Sequence, residues 1–176
     1  NLLSVVRSNE VFLPLLTAER GIPSSWLQFG GAECLQSYGL DPASLRDVGE
    51  TAALAEVKKA IPTEHARFIG GFADTLSFGD YLLVHAGLRP KVDLSLQSQS
   101  DLRWIRSPFL EDESDHGMMV VHGHTISPAV EERPNRIGID TGAYRTGVLT
   151  ALVLEGTERR ILNTAKAEVG TEPAAH

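Results

Sequence analysis

Two histidines, His85 and His124, stand where short apolar runs break into glycine turns. Tyr81–Leu82–Leu83–Val84 stops at His85–Ala86–Gly87, and Met118–Met119–Val120–Val121 stops at His122–Gly123–His124–Thr125. An imidazole binds a metal through one ring nitrogen while a carbonyl or carboxylate holds the other. Taken alone, His85 equally suits a buried core position bonded to backbone. Two histidines around one glycine carry more weight, because glycine lets the chain turn tightly enough for one imidazole to face a cation while the other holds the turn. His124, furthest past the strand, is the candidate ligand, and His122 the candidate orienting residue. Imidazoles delivered together from remote segments point to a metal centre, and a metal centre points to hydrolysis.

Two other segments end in groups with chemical use. Asp101–Leu102–Arg103–Trp104–Ile105–Arg106 sets guanidinium groups beside a large aromatic ring. Arginine forks onto a phosphoryl group well, although a solvent-facing arginine with its stem packed on Trp104 fits the same pattern. The spacing leaves open whether Arg103 or Arg106 faces inward. In Ile139–Asp140–Thr141–Gly142–Ala143–Tyr144, Asp140 suits a partner for a ligand histidine and Tyr144 a pocket wall, whereas Thr141 reads as a residue satisfying local turn amides. His65 and His116 lie in polar surroundings and read as surface residues, and Glu111–Asp112–Glu113 reads as a solvated loop.

The elements that would position these groups follow from periodicity and breakers. The front of the chain, about 11–70, is mainly helical. A helix is expected over Val11–Leu16 despite Pro14, then an aromatic and glycine turn at Trp26–Gly31 and a short helix over Ala32–Tyr38 stopped by Gly39. Asp41–Pro42 has the form of an N-cap followed by proline at the first helical position. Further helices are expected over Thr51–Ala60 and from a Thr63 cap to about Ile69. From Thr75 the period changes: Thr75–Phe78 and Tyr81–His85 flank Gly79–Asp80 as a hairpin. Strands ending near His122 and spanning Arg136–Asp140 follow, and a closing hairpin turns around Glu155–Gly156–Thr157–Glu158. The expected class is α/β, or α+β, with the strand-rich part at about 75–163 and a disordered tail over 164–176.

Composition narrows the class of function. With 42% hydrophobic and 22% charged residues, 176 residues suit one globular domain with a real core. No apolar run approaches the roughly 20 residues of a membrane span, and the start lacks a signal-peptide pattern. Cys34, the single cysteine, allows no internal disulfide and points to the cytoplasm. A net charge of −7 argues against a nucleic-acid surface, yet it permits a phosphorylated substrate, because bound divalent cations reverse the local field. The chain opens at Asn1, and Leu2–Leu3–Ser4–Val5–Val6 reads as the middle of an element, so a fragment of a longer protein is expected.

Four stretches together resemble the bacterial phosphoprotein phosphatases of the calcineurin-like metallophosphoesterase superfamily: 84–90, 101–106, 121–125 and 135–144. The 26–31 and 37–39 segments are similar to the cap region of that family. The resemblance runs from about Asn9 to Leu162 and implies a layered β-sandwich flanked by helices, here lacking its N-terminal strands. It implies a partial domain over 1–163 that holds two divalent metal ions, manganese or iron, with zinc also suited to mixed histidine and oxygen ligands. His85 and His124 would each bind a metal, Asn9 would bridge, and Arg106 would bind the substrate phosphate. A hydroxide held between the metals would attack phosphorus in line. The substrate implied is phosphoserine or phosphothreonine in proteins; a small phosphoester, as in a symmetrical dinucleoside tetraphosphate hydrolase, is the alternative within the superfamily. A non-catalytic domain that binds phosphoproteins is the alternative outside enzymes.

The family's Gly-Asp-x-His-Gly and Gly-Asp-x-x-Asp-Arg-Gly motifs are absent, and its Gly-Asn-His-Glu motif survives only as Arg7–Ser8–Asn9–Glu10. The 176 residues are therefore expected to bind metal weakly and hydrolyse poorly. A truncated sheet is further expected to expose an edge that favours self-association.

Overall fold

The structure is a computed structural model that describes Ile22 and residues 27–165. Asn9, the helix expected over Val11–Leu16, Trp26 and the tail from residue 166 lie outside the described residues. The chain divides into two compact units between Ala73 and Asp74.

The first unit is helical. A π-helical turn over Leu27–Gly31 leads into α1 (Ala32–Ser37), followed by α2 (Pro42–Asp47), α3 (Glu50–Ala60) and α4 (Thr63–Gly70). α1 stops because Gly39 adopts φ 78°, a left-handed conformation that costs other residues energy. At α2 the Asp41 carboxylate accepts from the Ala43 and Ser44 backbone N–H groups, with Pro42 at the first helical position. Thr63 is not the cap of α4. Pro62 occupies that position without a side-chain hydrogen bond, and the Pro62 carbonyl accepts from His65 and Ala66 instead. Leu35, Leu45, Ala53, Leu54, Val57 and Ile61 form this unit's core.

The second unit is built on a five-stranded mixed sheet in the order β1-β2-β3-β5-β4, with a separate β6-β7 hairpin. The strands are β1 (Thr75–Phe78), β2 (Tyr81–Val84), β3 (Met119–His122), β4 (Glu131–Glu132), β5 (Arg136–Gly138), β6 (Thr150–Glu155) and β7 (Glu158–Asn163). β1 and β2 pair antiparallel, with Phe78 opposite Tyr81 across the Gly79–Asp80 turn. β2, β3 and β5 are mutually parallel neighbours, the arrangement that gathers ligands beyond the carboxyl ends of strands. β5 ends at Gly138, short of the expected Asp140. The β2-to-β3 crossover contains α5 (Gln99–Trp104) between two 3-10 turns, Leu94–Leu96 and Phe109–Glu111. α6 (Ala143–Thr146) precedes the closing hairpin.

Leu82, Val84, Leu88, Leu102, Ile105, Phe109 and Val120 pack together under the parallel strands. Phe109 is wholly buried, and a side chain of that kind contributes about 1.5–3 kcal/mol on burial. A Cβ added at Gly87 would lie 2.2 Å from the Phe109 ring, so the backbone after His85 runs directly over the aromatic that anchors the crossover. Leu76 and Phe78 on edge strand β1 are exposed, as is every residue of β7. No helix among the described residues is long and apolar enough to cross a membrane. The mixed α/β class expected from the sequence is the class observed.

Candidate metal centre

β2 delivers His85 one residue past its end, β3 delivers His122 as its last residue and His124 two beyond, and β5 delivers Asp140 two beyond its end. The three parallel strands thus bring the backbone of these groups to one end of the sheet. The rings of His85 and His124 lie 5.2 Å apart between centroids at an interplanar angle of 58°. All four of their ring nitrogens are buried without a hydrogen-bond partner, and so is Thr125 Oγ1. Buried polar atoms are rarely left unpaired, because each one costs about 1–3 kcal/mol. Orphans concentrated on two facing imidazoles suit a cation that would fill them.

The turn that presents His124 is strained. Thr125 N–H donates to the Gly123 carbonyl at 2.7 Å, closing a three-residue turn with His124 at φ 64° in the left-handed region. That conformation costs a non-glycine residue about 1 kcal/mol or more, and such strain concentrates at functional sites. Trp104 sets its edge against the His124 ring, 5.6 Å between centroids at 88°.

His122 points elsewhere. Its Nδ1 lies 3.2 Å from the Gly123 carbonyl, its Nε2 accepts from Arg136 at 3.3 Å, and its ring meets Phe109 edge-on at 5.0 Å. Both of its nitrogens are engaged by protein groups. Asp140 lies near both imidazole turns, since a Cβ built at Gly123 would sit 3.5 Å from its Cβ. Its carboxylate nevertheless bonds Gly142 N–H at 2.9 Å and reaches no histidine nitrogen. Thr141 does not serve local amides as the turn chemistry suggested. Its hydroxyl donates to the Val148 carbonyl and meets Thr150 Oγ1 at 2.8 Å, pinning the loop to β6.

The two arginines differ in burial and in pairing: Arg103 is the more enclosed, with its side chain 13% exposed. Arg103 is spent on Asp74 at 2.7 Å. Arg106 is exposed, forms no ion pair among the described residues, and acts electrostatically on His124. Burial first, then the Arg106 charge and the His85 ring, lower the His124 pKa to about 4. The Trp104 backbone, which lies near the ring without completing a hydrogen bond of normal geometry, and the Asp140 charge oppose this. Burial likewise lowers His122 to about 4; the Gly123 carbonyl opposes this and Arg136 reinforces it. His85 is lowered by burial, with Asp140 opposing and Arg103 adding to the effect. All three rings are therefore neutral near pH 7, the form a metal requires.

Tyr144 stands 60% exposed on α6, with no hydrogen bond or ring contact among the described residues. His116 is no surface residue. Its side chain is only 5% exposed, lies against Phe109 at 5.7 Å, and approaches Asp112 at 3.7 Å. Sequence reasoning passed over Thr125 and Arg136. A cation opening an otherwise apolar strand at Arg136–Ile137–Gly138 was the available signal for the second.

The described residues fit the imidazole part of a metal centre and not a complete one. No group of three or more His, Cys, Asp or Glu side chains among them is arranged to hold a metal ion. No protein family and no curated protein matches the sequence. Among solved structures, the chain is similar to a protein provisionally described as a diadenosine tetraphosphatase, with TM-score 0.50 and 20% identity over 79% of this chain and 75% of that one. The fold is shared. In this chain the turns carrying His85, His124 and Asp140 follow the ends of β2, β3 and β5.

Proposed function

We propose that this chain belongs to a metal-dependent phosphoester hydrolase and supplies the imidazole side of its metal centre. The observation that carries the reading is the set of four buried, unpartnered ring nitrogens on His85 and His124. These two would hold divalent cation, manganese or iron in preference to zinc, and a cation so held would neutralise phosphoryl oxygens and lower the pKa of water. Arg106, exposed and without a carboxylate partner among the described residues, would bind the phosphate oxygens. His122 would fix the His124 turn, and Asp140 would stabilise the cationic side of the pocket from its place on Gly142. With two imidazoles and no third grouped ligand among the described residues, the affinity of these groups alone is weak.

Two substrate classes divide the support. The 84–90, 101–106, 121–125 and 135–144 segments favour phosphoserine or phosphothreonine in proteins. The likeness in fold to a protein provisionally described as a diadenosine tetraphosphatase favours a dinucleoside polyphosphate. Manganese titration by calorimetry, followed by turnover of p-nitrophenyl phosphate, a phosphopeptide and a dinucleoside tetraphosphate, tests both levels. Absence of any manganese binding that depends on His85 and His124 ends the reading. Cleavage of only one natural substrate class chooses between the two. Self-association through edge strand β1, where Leu76 and Phe78 are exposed, completes the proposal, and concentration-dependent sedimentation checks it.

A further inference from the structure

We propose that Arg136 is the positioning residue that sets both the His124 turn and the Arg106 segment. The inference rests on the reading of those two residues as ligand and phosphate-binding group. Arg136 is 3% exposed, and its guanidinium is shared among three acceptors. One terminal nitrogen donates to His122 Nε2 at 3.3 Å and to Glu131 at 3.1 Å. The other donates to the Leu110 carbonyl at 3.0 Å and to the second Glu131 oxygen at 3.2 Å.

The first branch dictates a tautomer. Arginine stays protonated in proteins and only donates, so His122 Nε2 must be the bare acceptor. The ring proton then sits on Nδ1 and donates to the Gly123 carbonyl. That carbonyl also accepts from Thr125 N–H and thereby closes the turn with His124 at φ 64°. The ring has no room to swing out of this role, since Phe109 covers it edge-on and a Cβ at Gly138 would stand only 3.3 Å from its Cε1 and Nε2. A strained conformation persists only where its surroundings over-determine it, and the Arg136–His122–Gly123 chain supplies that constraint.

The second branch reaches the other half of the site. Leu110 N–H donates to the Arg106 carbonyl at 3.0 Å, and the Leu110 carbonyl is the group Arg136 holds. The adjacent Asn135 adds support by donating to the Asp112 and Ser114 carbonyls in the same loop. A single buried cation at the start of β5 therefore fixes the backbone behind Arg106 and the backbone behind His124 together.

The test begins with the wild-type protein free of metal. Long-range proton–nitrogen NMR should show His122 protonated at Nδ1 and bare at Nε2. The opposite tautomer, or an even mixture, overturns the proposal without any variant and whatever the folding of the variants. Arg136→Met should then mix the tautomers, speed hydrogen exchange at Leu110 N–H, and weaken manganese binding about 10–100-fold. Arg136→Lys, which keeps a donor, should retain the wild-type tautomer. A folded R136M with the wild-type tautomer and unchanged exchange at Leu110 shows a purely structural ion pair with Glu131 and also overturns it. Failure of the wild type to bind manganese, with the tautomer still dependent on Arg136, overturns the metal reading and leaves the positioning role supported.

Discussion

Gly123 N–H donates to the His85 carbonyl across 2.9 Å, so the backbone turns carrying the two facing imidazoles are tied directly to each other. The backbone positions from which the His85 and His124 rings project are thus tied by main chain. A substitution at either histidine should leave the other in place, which makes the pair a clean target for mutation.

His85→Asn and His124→Asn should each lower manganese affinity by more than the ~10–100-fold typical of losing an outer partner of a ligand. The apo stability of each variant should change little, because the wild type already carries these nitrogens buried and unpaired. Calorimetric titration beside urea denaturation checks both halves. Equal affinity in wild type and both variants would remove the metal centre.

The lowered histidine pKa values make folding sensitive to acid. Between the unfolded value near 6.5 and the folded value of about 4, the unfolded chain binds more protons than the folded one at His122 and His124. Stability is therefore full above about pH 6.5, falls as the pH drops through that window, and levels out below about pH 4. His122 alone should account for about 2–3 kcal/mol of the loss. Urea midpoints at pH 7, 5.5 and 4 measure it, and a flat profile would contradict the buried placement of these rings.

Arg106→Gln separates electrostatics from packing. Arg106 is exposed, so stability should stay within about 0.5 kcal/mol of wild type. The His124 pKa should rise, because a cation that opposed its protonation is gone. An NMR titration of the His124 ring follows the shift, and an unmoved value would place Arg106 away from the site. Inorganic phosphate binding to the manganese-loaded protein should weaken in the same variant.

Gly87→Ala should destabilise the second unit by about 1–3 kcal/mol, since the new methyl group would stand 2.2 Å from a wholly buried Phe109 ring. In the helical unit, Asp41→Ala should cost about 0.5–2 kcal/mol through loss of the α2 cap. Chemical denaturation reads both, and a neutral result at Gly87 would mean the crossover does not pack as described.

Much of the architecture was legible in local signals because those signals act over a few residues. The Gly79–Asp80 turn and the apolar runs before His85 and His122 specify strands wherever they occur. Asp41–Pro42 specifies a helix start for the same reason. Thr63 misled because a capping residue one position inside the helix has the same neighbours in sequence as one at its boundary, and the proline before it took the cap position. His116 misled because its polar neighbours in sequence say nothing of the Phe109 ring that covers it in space.

The sequence by itself determined which groups were available: two imidazoles beyond strand ends, two arginines around Trp104, and an aspartate after a third strand. Only the tertiary structure decided their use. It paired Arg103 with Asp74 and left Arg106 exposed with its charge acting on His124, bound Asp140 to a backbone amide, and buried Arg136 behind His122. The physical reason is that strand propensity and turn chemistry are local, whereas desolvation and charge pairing depend on which distant segments share a surface. Linear spacing carries no record of that juxtaposition until the parallel strands β2, β3 and β5 lie side by side.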